Sequence, residues 1–253
     1  MACIGIFDSG SGGLSVFREI RKLLPDERYV YYSDNANCPY GDKTPEFIVG
    51  RSREITRLLI SKGCEAVVVA CNTATGAAVA TLREEFDIPF IGMEPAVKPA
   101  ALGTESGVIG VLATAGTLKA SKYLHTRGQY EDDVRIVEHV GEGFVSLVES
   151  LELSGPKAEE TVRRSLLPLL EAGADRIVLG CTHYPFLLPV MEKVAAESGA
   201  PGALQFIDPA PAVARQLLRT LRERGISETD PDPAVELVAS GSDSTLRSLF
   251  SII

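Results

Sequence analysis

The sequence contains no apolar run of the roughly 18 residues that a membrane-spanning helix needs, and its first residues, MACIGIFDSG, pass into a strand-like stretch without a basic leader segment. Cysteine is scarce. The five present (Cys3, Cys38, Cys64, Cys71, Cys181) are an odd number with no C-x-x-C spacing, which argues against a disulfide framework and a zinc knuckle and suits a reducing compartment. Positive charge is also in deficit: 25 Lys and Arg stand against 34 Asp and Glu, a net charge of −9, and the basic residues are scattered along helix-like stretches. Nucleic acid is therefore not expected as a partner. These absences leave a soluble, cytoplasmic protein with no membrane association as the expectation. Its 253 residues suffice for one large or two smaller domains without covalent staples.

What is there alternates. Apolar runs of strand length are expected at Ile4 to Phe7, Tyr29 to Ser33, Ala66 to Ala70, Phe90 to Gly92, Val108 to Ala113, Val134 to Val137, Arg176 to Gly180 and Gln205 to Ile207. Helical patterns fall between them, at Leu14 to Leu24, Thr44 to Lys62, Thr75 to Phe86, Thr117 to Gln129, Pro156 to Ala172, Phe186 to Glu197 and Ala210 to Arg224. Strand–helix alternation predicts an α/β fold with parallel sheets. A weak internal repeat refines this: GIFDSGSGGLS and GVLATAGTLKA are both strand, small-residue loop and helix, and each precedes a strand that ends in cysteine. Two similar lobes related by pseudo-two-fold symmetry, with a site between them, would explain the repeat. The pattern breaks at EPAVKPA, so one lobe is expected over 1–95 and the other over 96–207, with a tail of about 208–253 returning to the first.

The cysteines of that repeat, in VVVACNTA and IVLGCTHY, fall where a buried parallel strand gives way to small polar residues. Ligands bind at that edge of open α/β sheets, and a following helix amino terminus favours a thiolate. Cys71 is followed by Asn72, Thr73 and Thr75, and Cys181 by Thr182, His183 and Tyr184, more polar donors than a helix start needs. Cys3 and Cys64, by contrast, lie at strand edges without a polar cluster and read as small buried hydrophobes. His183 is two residues from a thiol and could exchange a proton with it; the other half offers Asp8 instead. Glu149, in FVSLVESLEL, reads on spacing alone as part of a solvated helix face.

The loop DSGSGGLS resembles a phosphate-binding turn. It lacks both the third glycine of a dinucleotide fingerprint, Ser15 standing there, and the Walker lysine. Asp8 would repel a pyrophosphate, whereas it could hold an ammonium group or relay a proton. NCPYGDK, after the strand at Tyr29 to Ser33, is a turn at the same sheet edge.

Taken together, GIFDSGSGGLS, PYG, ACNTA, GVLATAGT and LGCTHYP resemble, in order and over about Ile4 to Ala214, the motif set of the glutamate racemases in the cofactor-independent aspartate/glutamate racemase superfamily. The resemblance implies catalytic roles for Cys71 and Cys181, with Asp8 assisting the first and His183 with Glu149 the second. It implies substrate contacts at Asp8, Ser9, Tyr40, Gly41, Asn72, Thr73, Thr114, Thr117, Thr182 and His183. Two bases on opposite faces of one α-carbon would interconvert L- and D-glutamate, Cys71 acting on the D and Cys181 on the L enantiomer, with no pyridoxal phosphate or metal. The motifs contain no arginine or lysine, so backbone N–H groups, hydroxyls and the Asn72 amide would hold the carboxylates.

The same resemblance implies supply of D-glutamate for bacterial peptidoglycan, and it leaves open a homodimer and regulation by a cell-wall precursor. One departure stands out: Gly141 and Glu142 replace a Cys-Pro pair common in the family. Alternatives remain at this level: an aspartate racemase, maleate isomerase or hydantoin racemase, a non-catalytic module that binds an anionic metabolite, or, more remotely, a nucleotide-dependent oxidoreductase.

Overall fold

The computed structural model describes residues 3–200, 202–226 and 233–253. From the amino terminus the chain runs β1 (Cys3–Asp8), α1 (Leu14–Leu23), β2 (Arg28–Ser33), α2 (Pro45–Ser61), β3 (Cys64–Val69), α3 (Asn72–Glu85) and β4 (Phe90–Gly92). It continues through α4 (Val97–Gly103), β5 (Val108–Ala113), α5 (Ala115–Leu118), α6 (Ser121–Gly128), β6 (Arg135–Val140), α7 (Phe144–Glu149), α8 (Pro156–Glu171), β7 (Arg176–Gly180), α9 (Leu188–Glu197) and β8 (Gln205–Ile207). Then come α10 (Ala210–Arg224), β9 (Val235–Ala239) and α11 (Ser244–Phe250). These elements form two compact units, one of Met1–Glu94 with Ala210–Ile253 and one of Pro95–Pro209. Among the described residues no helix is long and apolar enough to cross a membrane.

The first unit is a parallel sheet in the order β4-β3-β1-β2-β9. Both of its faces are covered, which is why its strands read as unbroken apolar runs rather than as alternation. On one face Phe7, Val30, Val67 and Val69 pack against Ile48, Ile55 and Leu59 of α2 and Ala74, Ala78 and Leu82 of α3. On the other, Phe17 of α1 meets Tyr29 and Tyr31 edge-on, with ring centroids 5.1 and 6.5 Å away, and α1 packs along α10. Local signals start α2 sharply: Thr44 accepts the Phe47 N–H at 3.3 Å and Pro45 opens the first turn.

The second unit is a parallel sheet in the order β6-β5-β7-β8. Val97 and Ala100 of α4, Tyr123 of α6 and the strand residues Ile109, Val111 and Val178 form its core on one side, while α8 and α9 pack together and α8 covers β5 and β6.

Several boundaries differ from the sequence reading. The helix expected over Thr117 to Gln129 is two, because Ala120 takes an extended conformation (φ −68°, ψ 136°) that ends the short turn begun at Thr114. The helix expected from Phe186 begins at Leu188, after a tighter turn at Tyr184–Leu187 that carries Pro185. EPAVKPA, read only as a break, leads into α4. The strand expected at Ala66 to Ala70 begins two residues earlier, at Cys64, and the one expected at Val134 to Val137 runs from Arg135 to Val140.

Candidate active site

In the first unit, β1 and β3 end side by side. Phe7 lies opposite Val69, and the Ala70 N–H donates to the Phe7 carbonyl at 2.8 Å, so Asp8 and Ser9 leave the sheet next to Cys71. The loop after β1 then closes on Asp8 itself. The fully buried carboxylate accepts the Ser9 N–H at 2.7 Å on Oδ1 and the Gly13 N–H at 2.8 Å on Oδ2. A Cβ on Gly13 would lie 2.8 Å from both the Asp8 Cβ and the Tyr31 hydroxyl, so only glycine brings the loop this close. The concave run of amides that would receive a phosphate in a nucleotide site is aimed here at the protein's own carboxylate.

Cys71 sits at the amino-terminal cap of α3 in extended backbone (φ −141°, ψ 121°), where its sulfur accepts the Ala74 N–H at 3.4 Å. That contact and the helix dipole stabilise negative charge on the sulfur. The Cys71 thiol donates to Ser9 Oγ at 3.7 Å, and the Ser9 hydroxyl donates to Asp8 Oδ1 at 3.3 Å. The geometry thus gives Asp8 a route to the thiol through Ser9, for which the motif resemblance implies only substrate contact. Asn72 opens α3 with its buried Oδ1 unbonded among the described residues, an acceptor open to an incoming N–H donor. Thr73 is buried beside it. Thr75 is committed to packing: it donates to the Val69 carbonyl at 3.1 Å and accepts the Met93 N–H at 2.9 Å.

Tyr40 and Gly41 lie in a tight turn, Tyr40–Asp42, that follows the cis Cys38–Pro39 bond. The buried Tyr40 hydroxyl donates to Asp34 Oδ2 at 2.6 Å. Arg51 of α2 grips the same carboxylate with two bonds, Nη2 to Oδ1 at 2.7 Å and Nε to Oδ2 at 3.0 Å, and Asn37 adds contacts of 3.1 Å to both oxygens. Burial pushes the Asp34 carboxyl up, but the hydrogen bonds from Arg51, Tyr40 and Asn37 outweigh it and hold the group below its ordinary range. Burial, then the Asp34 contact, holds the Tyr40 hydroxyl above its own range. This anchor of the PYG turn escapes the sequence reading: Asp34 directly follows β2, the one available signal, while Arg51 lies on a helix with nothing to mark it.

Because the folded-state pKa of Asp34 is depressed, its contribution to stability is present above the unfolded value of about 4 and is lost as pH falls through the folded one. Arg51→Met should therefore cost about 3 kcal/mol at pH 7, where it leaves a buried carboxylate without its partner. The gap to the unsubstituted protein should narrow near pH 3, as Asp34 protonates. Urea unfolding at the two pH values checks this; a gap independent of pH would mean that Arg51 acts by packing alone.

In the second unit, β5 and β7 end together, Ala113 opposite Gly180, so Thr114 and Cys181 leave that sheet as neighbours. Cys181 Sγ is 3.7 Å from Nδ1 of His183, a buried ring whose Nε2 is 2.7 Å from Glu149 Oε1 at the end of α7. A proton on Nε2, directed at the carboxylate, leaves the Nδ1 lone pair facing the sulfur in the neutral ring, and the imidazolium presents an N–H there instead. Glu149 is thus a partly buried partner of His183 rather than a member of a solvated face. Tyr184 packs edge-on against Phe144, with ring centroids 4.9 Å apart, and donates to the Gly141 carbonyl at 3.5 Å. Burial, then the charge of Cys181, holds the Tyr184 hydroxyl well above its usual range. A Cβ at Gly141 would run into the Tyr184 hydroxyl, so glycine at this position accompanies the tyrosine.

Thr182 is buried next to the thiol. Thr114 caps the first turn of α5 by accepting the Thr117 N–H at 3.2 Å, and the two hydroxyls are 2.9 Å apart. The structure therefore assembles one cluster in each unit: Asp8, Ser9, Cys71, Asn72 and Thr73 in the first, and Cys181, His183 and Glu149 in the second.

A buried parallel strand that leads to a thiol in polar contact with a hydroxyl or an imidazole is built once in each of two α/β units, a geometry suited to acid–base work by sulfur. The Asp/Glu/Hydantoin racemase family model matches residues 4–217, and the chain belongs to that family: it is an amino-acid racemase, an isomerase. Curated glutamate racemases match it at 42–46% identity. That of Ectopseudomonas mendocina is 44% identical over 253 residues, covering 100% of this chain and 94% of the relative. The structure of glutamate racemase from Escherichia coli, in complex with L-glutamate and the activator UDP-MurNAc-ala, superimposes with a TM-score of 0.88 at 34% identity, covering 99% of this chain and 94% of that one. The Francisella tularensis glutamate racemase in complex with D-glutamate gives 0.83 at 26% identity, covering 99% and 92%.

Proposed function

We propose that this chain interconverts L- and D-glutamate without a cofactor, Cys71 and Cys181 serving as the two bases on opposite faces of the α-carbon. The observation that carries the reading is the pairing of each thiol with a different proton-transfer partner, Ser9 and Asp8 for Cys71 and His183 with Glu149 for Cys181. The full-length likeness to glutamate racemases supports glutamate over aspartate as the substrate.

In this reading Cys71 as thiolate removes the α-proton of D-glutamate while Cys181 as thiol delivers its proton to the other face, and the reverse reaction exchanges the roles. The line Cys71–Ser9–Asp8 gives the first sulfur an outlet for a proton. His183, held by Glu149, does the same for the second. The carboxylates are held by hydroxyls and backbone N–H groups at the starts of α3 and α5 and in the turn that follows Cys181, with Tyr40 and Gly41 lining the first unit's edge. The Asn72 Oδ1 is an acceptor for the substrate's ammonium group. The enzyme works in the cytoplasm and supplies D-glutamate for bacterial peptidoglycan.

In deuterated water, unlabelled L-glutamate should yield D-glutamate carrying deuterium at the α-carbon, with optical activity decaying to zero and no added cofactor required. NMR and polarimetry measure both. Binding of glutamate with no α-exchange would overturn the reading in favour of a metabolite-binding module, and faster exchange of aspartate than glutamate would reassign the substrate.

A further inference from the structure

Outside the catalytic clusters, two of the remaining cysteines meet. Cys3 opens β1 and Cys64 opens β3, the strands pair in parallel, and the two residues are partners in that pairing. Their sulfurs are 3.3 Å apart, in contact and short of a bond. Only 3% of Cys3 and 4% of Cys64 is exposed, so neither sulfur can turn away to solvent without opening the strand end. Gly5 makes the room: a Cβ there would lie 3.3 Å from the Cys64 sulfur and 2.9 Å from Leu59 Cδ1. Hydrophobic packing alone would be met by two alanines or valines at these positions, and the opposed thiols add a chemistry that those residues lack.

We infer that Cys3 and Cys64 form a site of intramolecular disulfide modification that pins β1 to β3 at the edge opposite the catalytic thiol. The pairing already satisfies the main geometric demand of a disulfide, since partner residues on adjacent strands are spaced within the span that such a bond bridges. The oxidant is a peroxide. One thiolate attacks a peroxide oxygen, the O–O bond breaks, and the sulfur becomes a sulfenic acid as the first water leaves. The second thiol then attacks that sulfur, forming the S–S bond and expelling the second water, so two thiols and one hydrogen peroxide give one disulfide and two waters. Each sulfur is oxidised by one electron and the peroxide is reduced by two.

The same two strands end in Asp8 and lead into Cys71 at their carboxyl edge. A bond at their amino edge fixes their register from the far side without touching either group. It also closes the chain between residues 3 and 64 into a loop holding α1, β2 and α2, which restricts the unfolded chain. The contact with Cys3 and burial hold the Cys64 thiol above its ordinary range, so reaction waits on local opening of the strand ends and is slower than that of an exposed thiol.

The test uses the full chain, reduced and then exposed to graded hydrogen peroxide, followed by alkylation and peptide mapping without reduction. The expected result is one linked peptide pair containing Cys3 and Cys64, lighter by two hydrogens than the separate peptides. Thermal unfolding of this product should occur several degrees above that of the reduced chain, and the rise should be absent from Cys3→Ala and Cys64→Ala, each treated in the same way. Separate alkyl labels on both cysteines, sulfinic acid on either without a link, or a link joining a different pair would overturn the site. A link with no change in unfolding temperature would overturn the pinning of the strands. The mapping needs no variant, so a substitution that fails to fold leaves the result intact.

Discussion

Replacing Cys71 with serine is expected to lower glutamate racemisation by at least about a thousandfold, and replacing Cys181 should do the same, because an alkoxide is too strongly basic to form at neutral pH and a positioned acid or base of matched pKa contributes roughly 10²- to 10⁴-fold. The two losses should differ in kind. In the proposed mechanism Cys71→Ser retains the base that acts on the L enantiomer, so L-glutamate incubated in deuterated water should exchange its α-proton and return as deuterated L-glutamate, with D-glutamate left unlabelled. Cys181→Ser should show the mirror image, labelling only D-glutamate. NMR of each enantiomer after incubation separates these outcomes from simple inactivation. Labelling of the same enantiomer by both variants would overturn the assignment of each thiol to one face, and normal racemisation by either would remove the two-thiol mechanism.

The strands that lead to Cys71 and Cys181 are legible in the sequence because both sheets are covered on both faces. Runs such as IGIF, VVVA and IVLG have to be apolar throughout, and the point where each stops marks a carboxyl edge. The motif order along them carries the family. Short helices are less legible: α4, α7 and α11 are seven, six and seven residues long, fewer than the two full turns over which a helical period can be recognised.

What sequence cannot convey is which side chains meet across the fold. Arg51 lies 17 positions from Asp34 on a different element, and only the packing of α2 brings its guanidinium to the carboxylate that anchors Tyr40. Cys3 and Cys64 are 61 positions apart and read singly as small hydrophobes; strand pairing puts their sulfurs in contact. For Glu149, spacing points toward solvent and only the motif resemblance points toward His183. The left-handed Gly143 (φ 80°) starts α7 in a direction that ends with Glu149 against that ring.

His183→Asn is expected to lower kcat/KM by about a hundredfold, within the range of a lost proton-transfer partner, and Glu149→Gln by about tenfold, since the amide still accepts from Nε2 but no longer stabilises an imidazolium. The form of the loss is constrained by thermodynamics. L- and D-glutamate have equal free energies in water, so kcat/KM must remain equal in the two directions for any variant, however unequal the damage to its two sides. The inequality of the thiols therefore cannot appear in that ratio. It appears in which proton transfer limits the rate. In the proposed mechanism Cys181 removes the α-proton of L-glutamate, so weakening it raises the barrier for the transfer at that sulfur alone, and His183→Asn should enlarge the primary isotope effect for α-deuterated L-glutamate and reduce it for the D enantiomer. Ser9→Ala, which cuts the line from Cys71 to Asp8, should shift the two isotope effects in the opposite sense. Competitive isotope measurements on both enantiomers read these shifts directly, and equal isotope effects in His183→Asn would show that the histidine serves both transfers or neither.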